Sequence, residues 1–177
     1  MKKILSVTLL CAIVFGLTAC EERKAQTQPT SPPVQAENKV TAAGVTMEWS
    51  LAGTNLSVKL SAATSGWVAV GFDPGAGMKD ANIIIGYVKD GNAIIRDDFG
   101  TGFGSHAPDT VDNVTNKSGT EANGVTEISF TIPLDSADAQ DKKLVSGNSY
   151  KVLLASGNSD DFSAFHTHKA VATIKIP

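Results

Sequence analysis

Few side chains in this sequence are equipped for chemistry: histidines at 106, 166 and 168, methionines at 47 and 78, two tryptophans, two tyrosines and aspartates scattered between apolar runs. Met78 stands in Gly71-Phe72-Asp73-Pro74-Gly75-Ala76-Gly77-Met78-Lys79-Asp80-Ala81, a glycine-rich stretch between two apolar segments. A methionine there is not needed to fill a strand core, although gap filling accounts for most methionines. The second unusual stretch is Phe165-His166-Thr167-His168. In an extended chain its two histidines project to the same side, about 6.6 Å apart at roughly 3.3 Å per residue. Alone, such a pair is more often solvated or weakly metal-binding; with Met78 it makes a set of soft and imidazole ligands that copper accepts. No nucleophile elbow, CxxCH, Walker loop or HExxH occurs, so familiar hydrolytic catalysis and covalent haem attachment are not indicated. Asp97-Asp98, Asp109, Asp112 and Asp160-Asp161 lack the spacing of an EF-hand loop and read as solvated turns, and His106 reads as a surface loop residue.

The elements that must position these residues are strands. Val45, Met47, Trp49 and Leu51 alternate with Thr46, Glu48 and Ser50, the period of a half-buried strand. Ala52-Gly53-Thr54-Asn55 supplies a turn, and Leu56, Val58 and Leu60 repeat the alternation. Gly66 to Asp73 is apolar on both faces, as a central strand would be. Ile83 to Val88 and Ala93 to Asp97 flank Lys89-Asp90-Gly91-Asn92, a hairpin signal because Asp-Gly tolerates the positive φ of a type I′ turn. Further strands are expected over Thr126 to Leu134, Ser149 to Ser156 and Ala170 to Ile176, and at most one helical turn within Ser136 to Val145. Eight or nine short strands with Gly and Asn turns predict an all-β antiparallel sandwich of immunoglobulin-like layers. Trp49 and Trp67 are expected in its core.

The chain has 177 residues, 42% hydrophobic, with 15 Lys+Arg against 18 Asp+Glu. Lys2 and Lys3 precede the apolar run Ile4 to Ala19, too short to span a bilayer comfortably, and Leu17-Thr18-Ala19-Cys20 resembles the bacterial lipobox. On this reading residues 1–19 are removed, Cys20 becomes a lipidated N-terminus, and the buried methylenes of its acyl chains anchor it at about 0.8 kcal/mol each. Glu21 after the cysteine favours the outer membrane. Losing Lys2 and Lys3 and no acid moves the net charge from −3 to −5, which argues against nucleic acid as a partner. The other cysteine, Cys11, leaves with the leader, so no intrachain disulfide remains. Residues 20–40, with Pro29, Pro32 and Pro33 and no aromatic residue, read as a tether with a reach of roughly 25 Å. Function is assigned to residues 41–177.

GWVAVGFDPGAGMKDANIII together with DDFSAFHTHKAVATIKI resembles the DOMON superfamily, in which a GW-x-A-x-GF strand leads to a methionine loop and a late aromatic-His pair opens the last strand. The likeness spans residues 41–177 and implies a β-sandwich that binds either b-type haem or sugars. In the haem-binding branch, which includes the cytochrome domain of cellobiose dehydrogenase, the loop methionine and the late histidine are the axial ligands. The resemblance places Met78 and His166 in those positions, with Phe72, Tyr87, Phe99, Phe103 and Phe165 as candidate pocket walls. It leaves His168 near the pocket edge and His106 a minor candidate beside a haem propionate. Lys79-Asp80-Ala81-Asn82 departs from the commoner spacing after the methionine, and the disulfide of fungal relatives has no counterpart. The implied function is non-covalent haem b binding and electron transfer to a redox partner protein, rather than catalysis. Carbohydrate binding on the same fold and a copper site built from Met78, His166 and His168 are the rivals. Because Cys20 is the one cysteine left after cleavage, Cys20→Ala should abolish acylation and leave uncut precursor at the inner membrane. Palmitate labelling that persists in this variant would refute the lipobox assignment.

Overall fold

The computed structural model describes residues 38–177; the leader, Cys20 and all but the end of the expected tether lie outside the described residues. Eleven strands follow in order: β1 (Lys39–Ala42), β2 (Val45–Ala52), β3 (Asn55–Ala62), β4 (Val68–Phe72), β5 (Asn82–Lys89), β6 (Asn92–Gly102), β7 (Ser105–Pro108), β8 (Thr115–Ala122), β9 (Val125–Pro133), β10 (Ser149–Ser156) and β11 (His168–Lys175). They form two antiparallel sheets, one ordered β1-β2-β3-β9-β8 and the other β11-β10-β4-β5-β6-β7. The expected sandwich is therefore observed. Three strands exceed the expectation, β1, β7 and β8, and each sits at or near a sheet edge where few apolar residues mark it. β1 takes in Lys39 and Val40, which composition alone assigns to the tether. No helical turn forms at 136–145. Asp135, Ser136 and Asp138 instead accept hydrogen bonds from the backbone N–H two residues on, a local alternative that competes with helix.

Alternation builds the core. Met47 and Trp49 from β2, Leu56, Val58 and Leu60 from β3, and Ile128, Phe130 and Ile132 from β9 face Val68, Val70 and Phe72 of β4, Ile84 of β5 and Val152 and Leu154 of β10. Trp49 closes one edge of this layer and donates its indole N–H to the Lys175 carbonyl at 3.0 Å. The β5–β6 hairpin has the expected turn, with φ of 51° at Asp90 and 76° at Gly91, and Lys89 opposite Asn92 fixes the register of both strands.

The second sheet differs from the first in being apolar on its outer side as well. Trp67, Ala69 and Ile85 are buried there in a separate cluster with Tyr87, Ala155 and Phe162 against them. Trp67 is thus buried as expected, but on the outer face of the sheet and not between the sheets. Phe130 is only 2% exposed in the inter-sheet core, whereas Phe165 is 90% exposed. Phe130→Ala should cost about 3–5 kcal/mol. Phe165→Ala should change stability by no more than about 0.5 kcal/mol. Urea unfolding midpoints at unchanged slope measure both.

Candidate functional site

A cavity of about 1140 Å³ lies on the outer face of the six-stranded sheet. Its floor is made by side chains that alternate with the core set: Ala69 and Gly71 of β4, Ile83 and Ile85 of β5, Leu153 and Ala155 of β10. β4 is antiparallel to both of its neighbours, with Phe72 opposite Asn82 and Val152, and Val68 opposite Gly86 and Ser156. The connection 73–81 therefore leaves one end of the floor and the connection 157–167 leaves the other. Across the five residues of β4 the two ends are about 13 Å apart. Met78 comes from the first connection and His166 from the second, and both line the cavity.

The first wall is held by backbone hydrogen bonds. Met78 N–H donates to the Phe103 carbonyl at 2.9 Å, Asp80 N–H to Gly100 at 2.8 Å, and Gly100 N–H to Ala81 at 2.9 Å. The methionine loop is thereby stitched to the tip of the β6–β7 hairpin. Two glycines make the approach possible. A Cβ on Gly100 would lie 1.7 Å from the Met78 carbonyl oxygen, and one on Gly77, whose φ is +65°, would lie 2.1 Å from that of Phe103.

The opposite wall is anchored on Trp67 and Tyr87. Trp67 N–H donates to Ser159 O at 3.2 Å, and Gly157 N–H to Trp67 O at 2.9 Å. The Trp67 indole lies so close over Gly157 that a Cβ there would come within 2.4 Å of the ring. Its Nε1 is buried against Gly157 without a hydrogen-bond partner. Phe162 packs on Tyr87 with ring centroids 4.8 Å apart, and the Arg96 guanidinium stands 4.6 Å over the Phe162 ring.

Behind this wall Asp98, fully buried, accepts from Arg96 Nε at 2.5 Å and Arg96 Nη2 at 2.7 Å, and pairs with His106 Nδ1 at 2.5 Å. Burial by itself would raise the Asp98 carboxyl, but the hydrogen bonds from His106 and Arg96 outweigh it and hold it below its ordinary value. One carboxylate thus orients two basic side chains, Arg96 and His106, both of which line the cavity. With Nδ1 engaged, His106 Nε2 is the nitrogen left for other partners.

Of the residues read from sequence, Met78, His166, Tyr87, Phe103 and Phe165 line this cavity. Phe103 and Phe165 do so as exposed rings, 78% and 90% accessible. Phe72 does not: alternation turns it into the inter-sheet core, where it is fully buried. Phe99 falls on the strand face shared with Ile95 and Asp97, away from the cavity. His168 opens β11 as an exposed residue outside the lining, its Nδ1 3.2 Å from Thr167 Oγ1. Asp97 and Asp98 are buried strand residues and not solvated turns. The Arg96–Asp98–His106 cluster went unread, although two charges spaced i and i+2 in a strand share one face and so carry the signal.

The DOMON domain family model matches residues 42–157. This chain belongs to the DOMON family. The match contains Met78 and ends before His166. The fold of this DOMON domain is shared by the cytochrome b domain of pyranose dehydrogenase from Coprinopsis cinerea, at a TM-score of 0.61 and 13% identity over 78% of this chain and 80% of that one. The cytochrome domain of Myriococcum thermophilum cellobiose dehydrogenase aligns at a TM-score of 0.58 and 13% identity, over 77% of each chain. At this identity the likeness is one of fold. The two glycine contacts make a local prediction for the DOMON domain. Gly100→Ala should lower Tm and remove amide-exchange protection at Met78 and Asp80, leaving the β2–β3 amides protected. Unchanged protection at Met78 would disprove the stitching.

Proposed function

We propose that this protein is a b-type haem-binding electron-transfer module, tethered to the bacterial envelope, in the outer membrane, through lipidated Cys20. The observation that carries the reading is that Met78 and His166, delivered from opposite ends of one sheet, line the same apolar-floored cavity. The residues present suit the group. A thioether and an imidazole are the donors, aliphatic and small side chains form the floor, and the basic Arg96 and Lys169 are polar groups available to an amphiphilic ligand. Bound there, haem b supplies reversible one-electron transfer at iron. Met78 and His166 would hold it, and the pairing of a soft thioether with an imidazole would raise its potential and suit it to electron transfer. The floor of Ala69, Gly71 and Ile85 excludes water. The exposed rings of Phe103 and Phe165 stand at the cavity mouth, where a redox partner would approach. His166 is favoured over His168 because it alone of the two lies in the cavity lining. The same fact counts against a copper site that needs both.

Purified with haem supplied, the reduced protein should show the sharp bands of a six-coordinate low-spin haem, extractable by acid acetone. Met78→Ala should lower the potential and admit carbon monoxide, His166→Ala should abolish the low-spin spectrum, and His168→Ala and His106→Ala should keep it. A protein that stays colourless sinks the proposal in favour of a carbohydrate-binding module, and metal loss in both the His166 and His168 variants without haem bands would favour copper.

A further inference from the structure

Away from the cavity, three carboxylates distant in sequence converge. Asp97 comes from β6, Asp109 from just after β7, and Asp141 from the connection between β9 and β10. One oxygen of each lies within 4.8 Å of the others. Asp97 is only 3% exposed; its Oδ2 accepts from Asn113 N–H at 2.9 Å, and its Oδ1 is buried with no partner. Asp109 Oδ2 and Asp141 Oδ1 are likewise buried and unpartnered, as is the side-chain oxygen of Asn113 itself. None of the seven ion pairs among the described residues includes Asp97, Asp109 or Asp141. Lys143 is paired with Asp135 at 2.6 Å and Lys117 with Asp112 at 2.5 Å, and Lys142, next to Asp141 in sequence, makes no ion pair with the cluster.

Such a cluster needs a counter-charge. Burial pushes the Asp97 carboxyl up to about 7, with the charges of Asp141, Asp109 and Asp112 adding to it against the Asn113 hydrogen bond. Burial raises Asp141 too, and the charges of Asp109 and Asp138 add to it against a hydrogen bond from Ser136 that lowers it. The free acceptors are all oxygen, the hard donor set of calcium or magnesium and not of copper or zinc. Oxygens bound to one calcium at about 2.4 Å lie at most about 4.8 Å apart, and calcium tolerates the irregular geometry that loop donors offer. Magnesium demands a near-ideal octahedron and keeps much of its water.

We propose that Asp97, Asp109 and Asp141, with the Asn113 side-chain oxygen, form a calcium site that ties the β6–β7 ribbon to the β9–β10 connection. Occupancy would lock the strand whose next residue, Asp98, orients Arg96 and His106 at the cavity, but the site stands independently of haem binding.

The test is calcium titration into the full-length protein after chelator treatment, with and without haem, by calorimetry and thermal unfolding at pH 7.5. One site is expected, with Tm rising by about 5–10 °C at calcium a hundredfold above Kd. Asp109→Asn and Asp141→Asn should each weaken binding at least tenfold, with chelator-treated Tm equal to or above that of the parent because a repelling charge is gone. Magnesium should bind more weakly. Three results would overturn the site: no heat and no Tm shift at millimolar calcium, a double variant that responds like the parent, or a Tm that rises on acidification alone with no calcium response, which would mean that protons neutralise the cluster.

Discussion

Val68, Val70 and Phe72 pack into the space between the sheets, while Ala69 and Gly71, the residues between them, face the other way onto the cavity. A strand apolar on both faces is stable in water only where both faces are covered. The five-stranded sheet covers the inner face. Among the described residues no third sheet or helix covers the outer one, so the connections 73–81 and 157–167 fold back over it and cannot be shortened to hairpin turns. Two-residue turns at these places would leave Ala69, Ile85, Leu153 and Trp67 as one contiguous exposed apolar patch. The position of Met78 and His166 follows from that covering role, since each sits in the part of its connection that returns across the sheet.

The two connections are held by different means. The second half of the methionine loop, residues 78–81, is bound to the β6–β7 hairpin through backbone groups, and glycines at 77 and 100 bring the two chains closer than any Cβ would allow. The histidine connection is pinned near its ends, by Trp67 with Gly157 and Ser159 and by Thr167 N–H on Ser156 O, while Phe162 anchors its middle on Tyr87. On the proposed haem reading, the ordering of the first connection suits Met78. A thioether is a weak ligand and gains from a loop ordered before anything binds, because little of its interaction energy is then lost to ordering.

Much of this was legible in the sequence because the signals are periodic. The alternation in β2, β3 and β9, the doubly apolar β4 and the Asp90-Gly91 turn each have a one-to-one physical meaning, and together they make a sandwich. Met78 and His166 stood out as chemistry-bearing residues in loops. The apolar residues placed on the wrong face share one cause: periodicity says that a strand has two faces but not which face meets the other sheet. Phe72 and Ala69 are both apolar, so the sequence alone does not tell which lines the cavity and which the core. Trp67 was read as core for the same reason. Edge strands β7 and β8 were missed because an edge strand needs few apolar residues, and β8 has only exposed or half-buried positions.

Asp97 and Asp98 show what neither composition nor spacing reveals. They are adjacent acids on one strand, read together as a solvated turn, and the pleat sends them to opposite faces. On the outer face Asp98 meets Arg96 and His106, long or flat basic side chains that reach it from positions still partly open to water. Such compensation suits a face with access to solvent, because guanidinium and imidazole groups carry their own need for hydration. On the inner face Asp97 adjoins the packed core, where bringing in a lysine or arginine would bury a second charge with its own desolvation cost. Its neighbours there are carboxylate oxygens of Asp109 and Asp141 and the backbone N–H of Asn113. A carboxylate surrounded by further acceptors has two ways to be neutral, a proton or a small hard cation, and burial selects between them by how many unpartnered oxygens converge. A proton bridges two oxygens at most, and three carboxylates bring oxygens within 4.8 Å of one another here, so a cation is the occupant proposed for the inner face, whereas an ion pair closes the outer one.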